Sequence, residues 1–316
     1  MKKILFKSLS ALLLAGCMLT SCEKVSLEEE GIGQTSQEEK NVIIRISDMD
    51  AGWGNDATRS LVNVSEVCSR VNFAIYQNGQ RVKYKNQAAG DDDFGTYALT
   101  LDEGSYQLLV LAHSGKSNPA TTNPAKIQFT NPGTSNGTGY TDTFYYYGNL
   151  VVGNNTQVDI SMRRATSMFR FITTDVKPDK VKKLQFYYTG GSGALDATTG
   201  FGCVDSKQSV FVETGSELTG KTLQYDMYTF LHAETGNVSF IVKAFDQNED
   251  ILYSHEFTDV RMQRNCITQY SGKFFVNDTP KDPEPEPESL TPKENEPSSI
   301  IVMVDPEWGN VFKYNY

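Results

Sequence analysis

The sequence predicts an all-β fold class, arranged as two tandem β-sandwich domains behind a lipoprotein signal peptide and a flexible tether. Three observations carry this. Beyond residue 40 the chain is rich in short Val, Ile, Phe and Tyr runs and shows no long stretch of helical period; the 316 residues include 16 Tyr and 17 Phe. Turn residues punctuate these runs at short spacing, which favours sandwiches or barrels over alternating strand and helix units. A second cycle of runs begins near Arg163, leaving about 120 residues for each half, enough for one sandwich core apiece.

Lys2, Lys3 and Lys7 form a positive head before the short apolar run from Leu9 to Gly16. That run falls short of the roughly 20 apolar residues a membrane span needs and is read as a cleaved export signal, residues 1–21. Leu19-Thr20-Ser21-Cys22 follows it, the small-residue pattern after which a cysteine thiol is diacylated and becomes the new N-terminus. Cys22 is therefore the expected lipidation site, and stable attachment to the outer membrane through several acyl chains is expected. Leu14-Ala15-Gly16 before Cys17 resembles the same pattern, but cleavage there would leave Met18 and Leu19 on the mature end.

Residues 22–40 carry Glu28, Glu29, Glu30, Glu38 and Glu39 with few large apolar side chains, the composition of a flexible acidic tether. The formal charge of −10 becomes −13 once the three signal-peptide lysines leave. Such a chain is ill suited to nucleic acid or an anionic membrane surface, and no nucleic-acid partner is expected. Cys68, Cys203 and Cys266 stand singly, with no paired spacing that would mark a zinc site or a disulfide framework, and are expected as buried small hydrophobes.

The first cycle, 41–162, opens on Val42, Ile43, Ile44, Arg45 and Ile46. Val71–Tyr76 and Gln80–Tyr84 flank Asn78-Gly79, two residues that tolerate positive φ and mark a hairpin. Tyr97–Leu101, Tyr106–Ala112, Ile127–Thr130, Asp142–Tyr147, Leu150–Val152 and Val158–Met162 complete it. The second cycle, 163–278, holds Met168–Ile172, Lys183–Tyr188, Cys203–Gln208, Tyr225–Leu231, Val238–Phe245, Ile251–Phe257 and Tyr270–Val276, with Gly190–Gly193 expected as a flexible loop. Residues 279–299, with Pro280, Pro283, Pro285, Pro287 and Pro292 among Glu and Lys, form an extended linker. Beyond it, in the segment 300–316, Ile300, Ile301, Val302, Met303 and Val304 have strand quality, and such a strand must pair with some sheet edge.

No residue pattern points to catalysis, a metal or a cofactor. Asp91-Asp92-Asp93 is followed by Phe94-Gly95 rather than by spaced calcium ligands, and a solvated loop accounts for it. Gly190–Gly193 lacks the lysine and helix of a phosphate loop. His113-Ser114 has no acid partner placed by sequence and is expected as a loop histidine. Tyr145, Tyr146 and Tyr147 alternate sides of a strand, so the outer two share one face.

Thr141–Gly148, Met162–Arg170, Phe186–Ser192 and Arg264–Gly272, taken with the lipidation pattern and the Tyr76–Gly79 hairpin, resemble the FimB-type (Mfa-like) branch of the Bacteroidales fimbrillin superfamily. The resemblance covers most of residues 60–276. It implies two transthyretin-like sandwiches and a role as the anchor or a minor subunit of a type V fimbria, with other fimbrial subunits as partners. Shaft subunits of that superfamily lose their first strand to an arginine-specific protease, and the freed groove takes a strand from the next subunit; an anchor would keep both strand and lipid. On this chain Val42, Ile43, Ile44 and Ile46 are the candidate first strand, Arg45 and Arg59 the candidate cleavage points, and Ile300–Val304 the candidate donor strand. The alternative is a surface glycan-binding lipoprotein, which would display aromatics on one exposed platform.

Overall fold

The β-branched run at residue 42 opens a strand, β1 (Val42–Asp50), and a single helical turn, α1 (Val64–Val67), precedes β2 (Arg70–Gln77). The computed structural model describes residues 40–50, 63–129, 140–276, 303–305 and 309–316. Asn78 and Gly79, at φ 51° and 77°, turn β2 into β3 (Gln80–Ala88), as the sequence predicts. There follow β4 (Thr96–Leu99), β5 (Gly104–His113), β6 (Ile127–Gln128), β7 (Thr143–Val152) and β8 (Thr156–Arg164). The two strands expected over Asp142–Val152 are one continuous strand, because Gly148-Asn149 stays within the ladder to β5.

The later chain supplies β9 (Ser167–Thr173), β10 (Lys183–Ser192), β11 (Ala194–Asp196), β12 (Phe201–Gly202), β13 (Asp205–Glu213), β14 (Gln224–Thr229), β15 (Thr235–Phe245), β16 (Ile251–Gln263) and β17 (Ile267–Gly272). After the segment 277–302 come β18 (Met303–Asp305) and β19 (Gly309–Asn315). The protein is thus predominantly β, in several sheets. A 7-stranded sheet has the order β3-β2-β5-β7-β8-β1-β4; a 4-stranded sheet runs β13-β10-β15-β16, a 5-stranded sheet β14-β9-β17-β19-β18, and a 3-stranded sheet β12-β11-β6.

Gly190–Ser192 is not a loop. β10 continues through it by a bulge between Tyr188 and Gly191. Both glycines are demanded by packing: a Cβ on Gly190 (φ +92°) would lie 2.5 Å from the Asn237 carbonyl oxygen, and one on Gly191 2.0 Å from Thr229 Oγ1. Low side-chain content here reflects close backbone approach, not freedom.

Two large apolar cores result. In the first, Phe73 and Ile75 of β2, Val110 of β5 and Phe144 of β7 meet Val42 and Ile44 of β1, Leu99 of β4 and Met162 of β8. These strands come from opposite ends of one sheet, which folds over where β7 and β8 join at Phe144–Arg164 and Tyr145–Arg163. In the second, Phe169 and Phe171 of β9 and Met227 of β14 pack against Phe186 and Tyr188 of β10, Phe240 and Val242 of β15 and Phe257 of β16. Phe169 and Phe240 stack at 3.9 Å between the two sheets. A third cluster joins the halves: Ala74, Tyr76, Leu109, Leu111 and Tyr145 meet Phe129, Leu195 and Phe230. Val71–Tyr76 is therefore buried throughout, both faces of β2 being covered.

Candidate functional site

The candidate first strand is an interior strand. β1 pairs in parallel with β8, from Val42 opposite Thr156 to Asp50 opposite Arg163, and antiparallel with β4, from Val42 opposite Leu99 to Arg45 opposite Thr96. Val42 and Ile44 are fully buried, while Arg45 between them and the bulge is exposed. The bulge between Ile46 and Asp48 inserts one residue and resets the phase, so that Met49 rather than Asp48 points inward. Burying these three side chains stabilises the first core by roughly 1.5–3 kcal/mol each.

The start of β1 is fastened by Asn41. Its Nδ2 donates to the Leu101 carbonyl at 2.8 Å, its Oδ1 accepts from the Leu101 amide at 3.0 Å, and its own carbonyl accepts from the Thr156 amide at 2.8 Å. This two-point clamp reproduces with a side chain the exchange a further strand residue would make. Ser47 Oγ donates to the Ile160 carbonyl at 3.0 Å and Asp48 accepts from Ser161.

The second strand of interest is at the other end of the chain. β19 lies parallel to β17, with Val311 opposite Ile267 and Asn315 opposite Ser271, and β18 closes back on β19. Met303 and Val304 of the candidate donor strand are therefore on β18, opposite Val311 and Asn310; Ile300, Ile301 and Val302 lie outside the described residues. Tyr314 stacks on Tyr270 at 4.9 Å. Tyr316 packs against the second core, stacked on Phe171 at 5.7 Å and 4.9 Å from the His255 ring, with its hydroxyl donating to the Ile172 carbonyl at 3.1 Å. Burial pushes the Tyr316 phenol up and the His255 imidazole down.

Where the described chain leaves the second core, Asp175 accepts from the amides of Phe274 (2.9 Å) and Phe275 (2.6 Å). Between the halves, Arg164 is buried and grips Asp142 through Nε and Nη2, at 2.9 and 3.0 Å. Thr166 Oγ1 also donates to Asp142, at 3.2 Å. Burial raises the Asp142 carboxyl, against the pull of Arg164 in the opposite direction.

His113 is not a loop residue. It ends β5, fully buried, with Nδ1 accepting from the Gly115 amide and Nε2 at 3.0 Å from Asn72 Oδ1. The amide donor fixes Nε2 as the protonated nitrogen, and Asn72 Nδ2 passes the network on to Asn86 and Asn118. Burial lowers the imidazole to about 4. Asp93 of the acidic triplet accepts from Lys85 and Gln87 and closes its own turn. Tyr145 and Tyr147 pack on the shared cluster and Tyr146 on the first core, the alternation the sequence predicts.

Cys68 and Cys266 are buried and Cys203 is exposed. Among the described residues no His, Cys, Asp and Glu side chains group to hold a metal ion. Cys22 and Arg59 lie outside the described residues. Sequence reasoning overlooked Asn41, Asp175 and β19. The first two are lone polar residues with no local signature. The third has one, Val311 to Asn315 alternating after Trp308-Gly309.

No curated protein matches the sequence. Among solved structures, a candidate adhesin from Bacteroides ovatus is 14% identical with a TM-score of 0.46, over 76% of this chain and 88% of that one. A candidate cell adhesion protein from Bacteroides fragilis is 13% identical at 0.45, over 73% and 92%. The fimbrial anchor protein Mfa2 from Porphyromonas gingivalis is 10% identical at 0.41, over 69% and 82%. The model of the family of unknown function DUF6562 matches residues 34–304, and the chain belongs to that family.

Proposed function

We propose that this chain is a non-catalytic lipoprotein of the outer membrane that serves as a fimbrial anchor or minor subunit, with other fimbrial subunits as its partners. The observation that carries this reading is the seating of β1, hydrogen-bonded along both edges and closing the first core. This seat supports a mature chain that keeps β1 and, ahead of it, the lipidated Cys22. An arginine-directed protease needs extended backbone free of partners. The backbone at Arg45 is opposite Asp159 on one side and Thr96 on the other, so the folded chain protects that bond. Cleavage after Arg59 would remove β1 and the lipid together.

Residues 41–162 and 163–278 act in this reading as two transthyretin-like sandwiches, supported by the separate apolar cores on either side of the Arg163–Ser167 junction. Subunits join by β-strand addition, in which a partner's backbone satisfies a row of edge groups and alternate side chains fill pockets. Residues 300–304 are the proposed donor. Their delivery to a neighbour requires β18 to part from β19. Tyr84 and Phe211, both exposed, stand on different sheets rather than on one platform, which weighs against a glycan-binding role. Replacing Cys22 with Ala and fractionating cells tests the reading: the variant leaves the membrane fraction, and unchanged membrane association would contradict it.

A further inference from the structure

We infer that the segment from Asn41 to Val276 is a tension-bearing unit, in which each half meets a pull along the chain with a parallel strand pair loaded in shear. The inference rests on the anchor reading for its purpose, but its geometry stands on topology alone. The chain enters the first half at the start of β1 and leaves it at the end of β8, and these two strands are adjacent and parallel. It enters the second half at the start of β9 and, ahead of the segment 277–302 that precedes β18 and β19, runs out past the end of β17; β9 and β17 are again adjacent and parallel, Met168 opposite Ile267 and Thr173 opposite Gly272.

Pulling apart residues 41 and 276 therefore drags β1 toward its start and β8 toward its end, and does the same to β9 and β17. The strands can separate only by sliding, and the slanted, evenly spaced bonds of a parallel ladder then bear the load together. Pulled from one common end, the same ladder would open bond by bond. β1 is held on its other edge by β4, and β9 by β14, so each loaded strand slides against two neighbours.

Side-chain clamps stand where the force enters, crosses and leaves. Asn41 grips Leu101 at the start of β1, Arg164 binds Asp142 and Asn265 at the junction, and Asp175 holds the Phe274 and Phe275 amides at the exit. The shared cluster of Tyr145, Phe129 and Phe230 couples the halves in parallel with the covalent link.

Single-molecule pulling on the folded chain tests this. Handles are placed at the N-terminus and at residue 276 (Val276→Cys, exposed) or residue 154 (Asn154→Cys, exposed), with Cys22 and Cys203 replaced by Ser. Residue 154 precedes β8, at the same end of the ladder as the start of β1, so that arm unzips what the first arm shears. Thermal melts matching the parent chain establish that each variant is folded. At one loading rate the 276 arm is expected to rupture at several times the force of the 154 arm. Equal forces, or a stronger 154 arm, overturn the inference; should Cys22 still govern membrane association in cells, the anchor reading survives that result.

Discussion

Arg164 and Asn265, 101 residues apart, are joined by a 2.6 Å hydrogen bond from Nη1 to Oδ1 within a buried network. Asn265 sits at φ 57° in the turn between β16 and β17, where its amide also donates to the Thr166 carbonyl at 2.9 Å. The end of the first half is thus held by a turn of the second.

Removing the guanidinium leaves the largely desolvated Asp142 carboxylate without its main partner. Arg164→Met is expected to cost about 3–5 kcal/mol, read from the shift of a denaturant midpoint. Replacing both partners, Arg164→Met with Asp142→Leu, recovers most of that loss, since the desolvated charge is gone. A cost within about 0.5 kcal/mol for the single variant would mean the pair is solvated.

Adjacent positions on β1 should behave oppositely. Ile44 is fully buried and Arg45 exposed. Ile44→Ala is expected to destabilise by about 2–5 kcal/mol, and Arg45→Ala to change stability by no more than about 0.5 kcal/mol. Equal, small effects would show that β1 does not close the core.

The first half should weaken in mild acid. The His113 pKa falls from an unfolded value near 6.5 to about 4 in the fold, so the unfolded chain binds the extra proton between those values. Stability from this group is complete above roughly pH 6.5 and declines as pH falls toward 4, by about 3 kcal/mol in total. Urea melts from pH 7 to 4, compared with His113→Gln, isolate the effect: the variant loses this part of the slope.

Ending the chain after Asp278 removes β18 and β19. Because Tyr316 stacks on Phe171 and bonds to Ile172, the shortened protein is expected to lose at least about 1.5–3 kcal/mol. An unchanged melt would show that β19 and Tyr316 do not brace the second core.

Strand existence was legible wherever β-branched and aromatic residues alternate between turn residues, as from Val71 through Asn78-Gly79 to Tyr84. It failed where packing rather than local pattern decides. Gly190-Gly191 has the composition of a loop, yet β15 and Thr229 press against it and leave room only for glycine. His113 stands next to loop residues in sequence, but its environment comes from Asn72, 41 residues away. The seat of β1 was legible as a strand and not as an interior one: the parallel partner β8 lies 113 residues on, and local periodicity does not encode such pairing. Cys203 was expected among buried thiols and is exposed, since it follows the short edge strand β12.

Anchoring requires a mature chain that keeps both β1 and the segment leading to it. Mass spectrometry of the mature protein, isolated from membranes, reads this directly. The expected N-terminal peptide begins at Cys22 and carries acyl chains, with Val42–Asp50 intact. A mature N-terminus at the residue following Arg45 or Arg59 would contradict it.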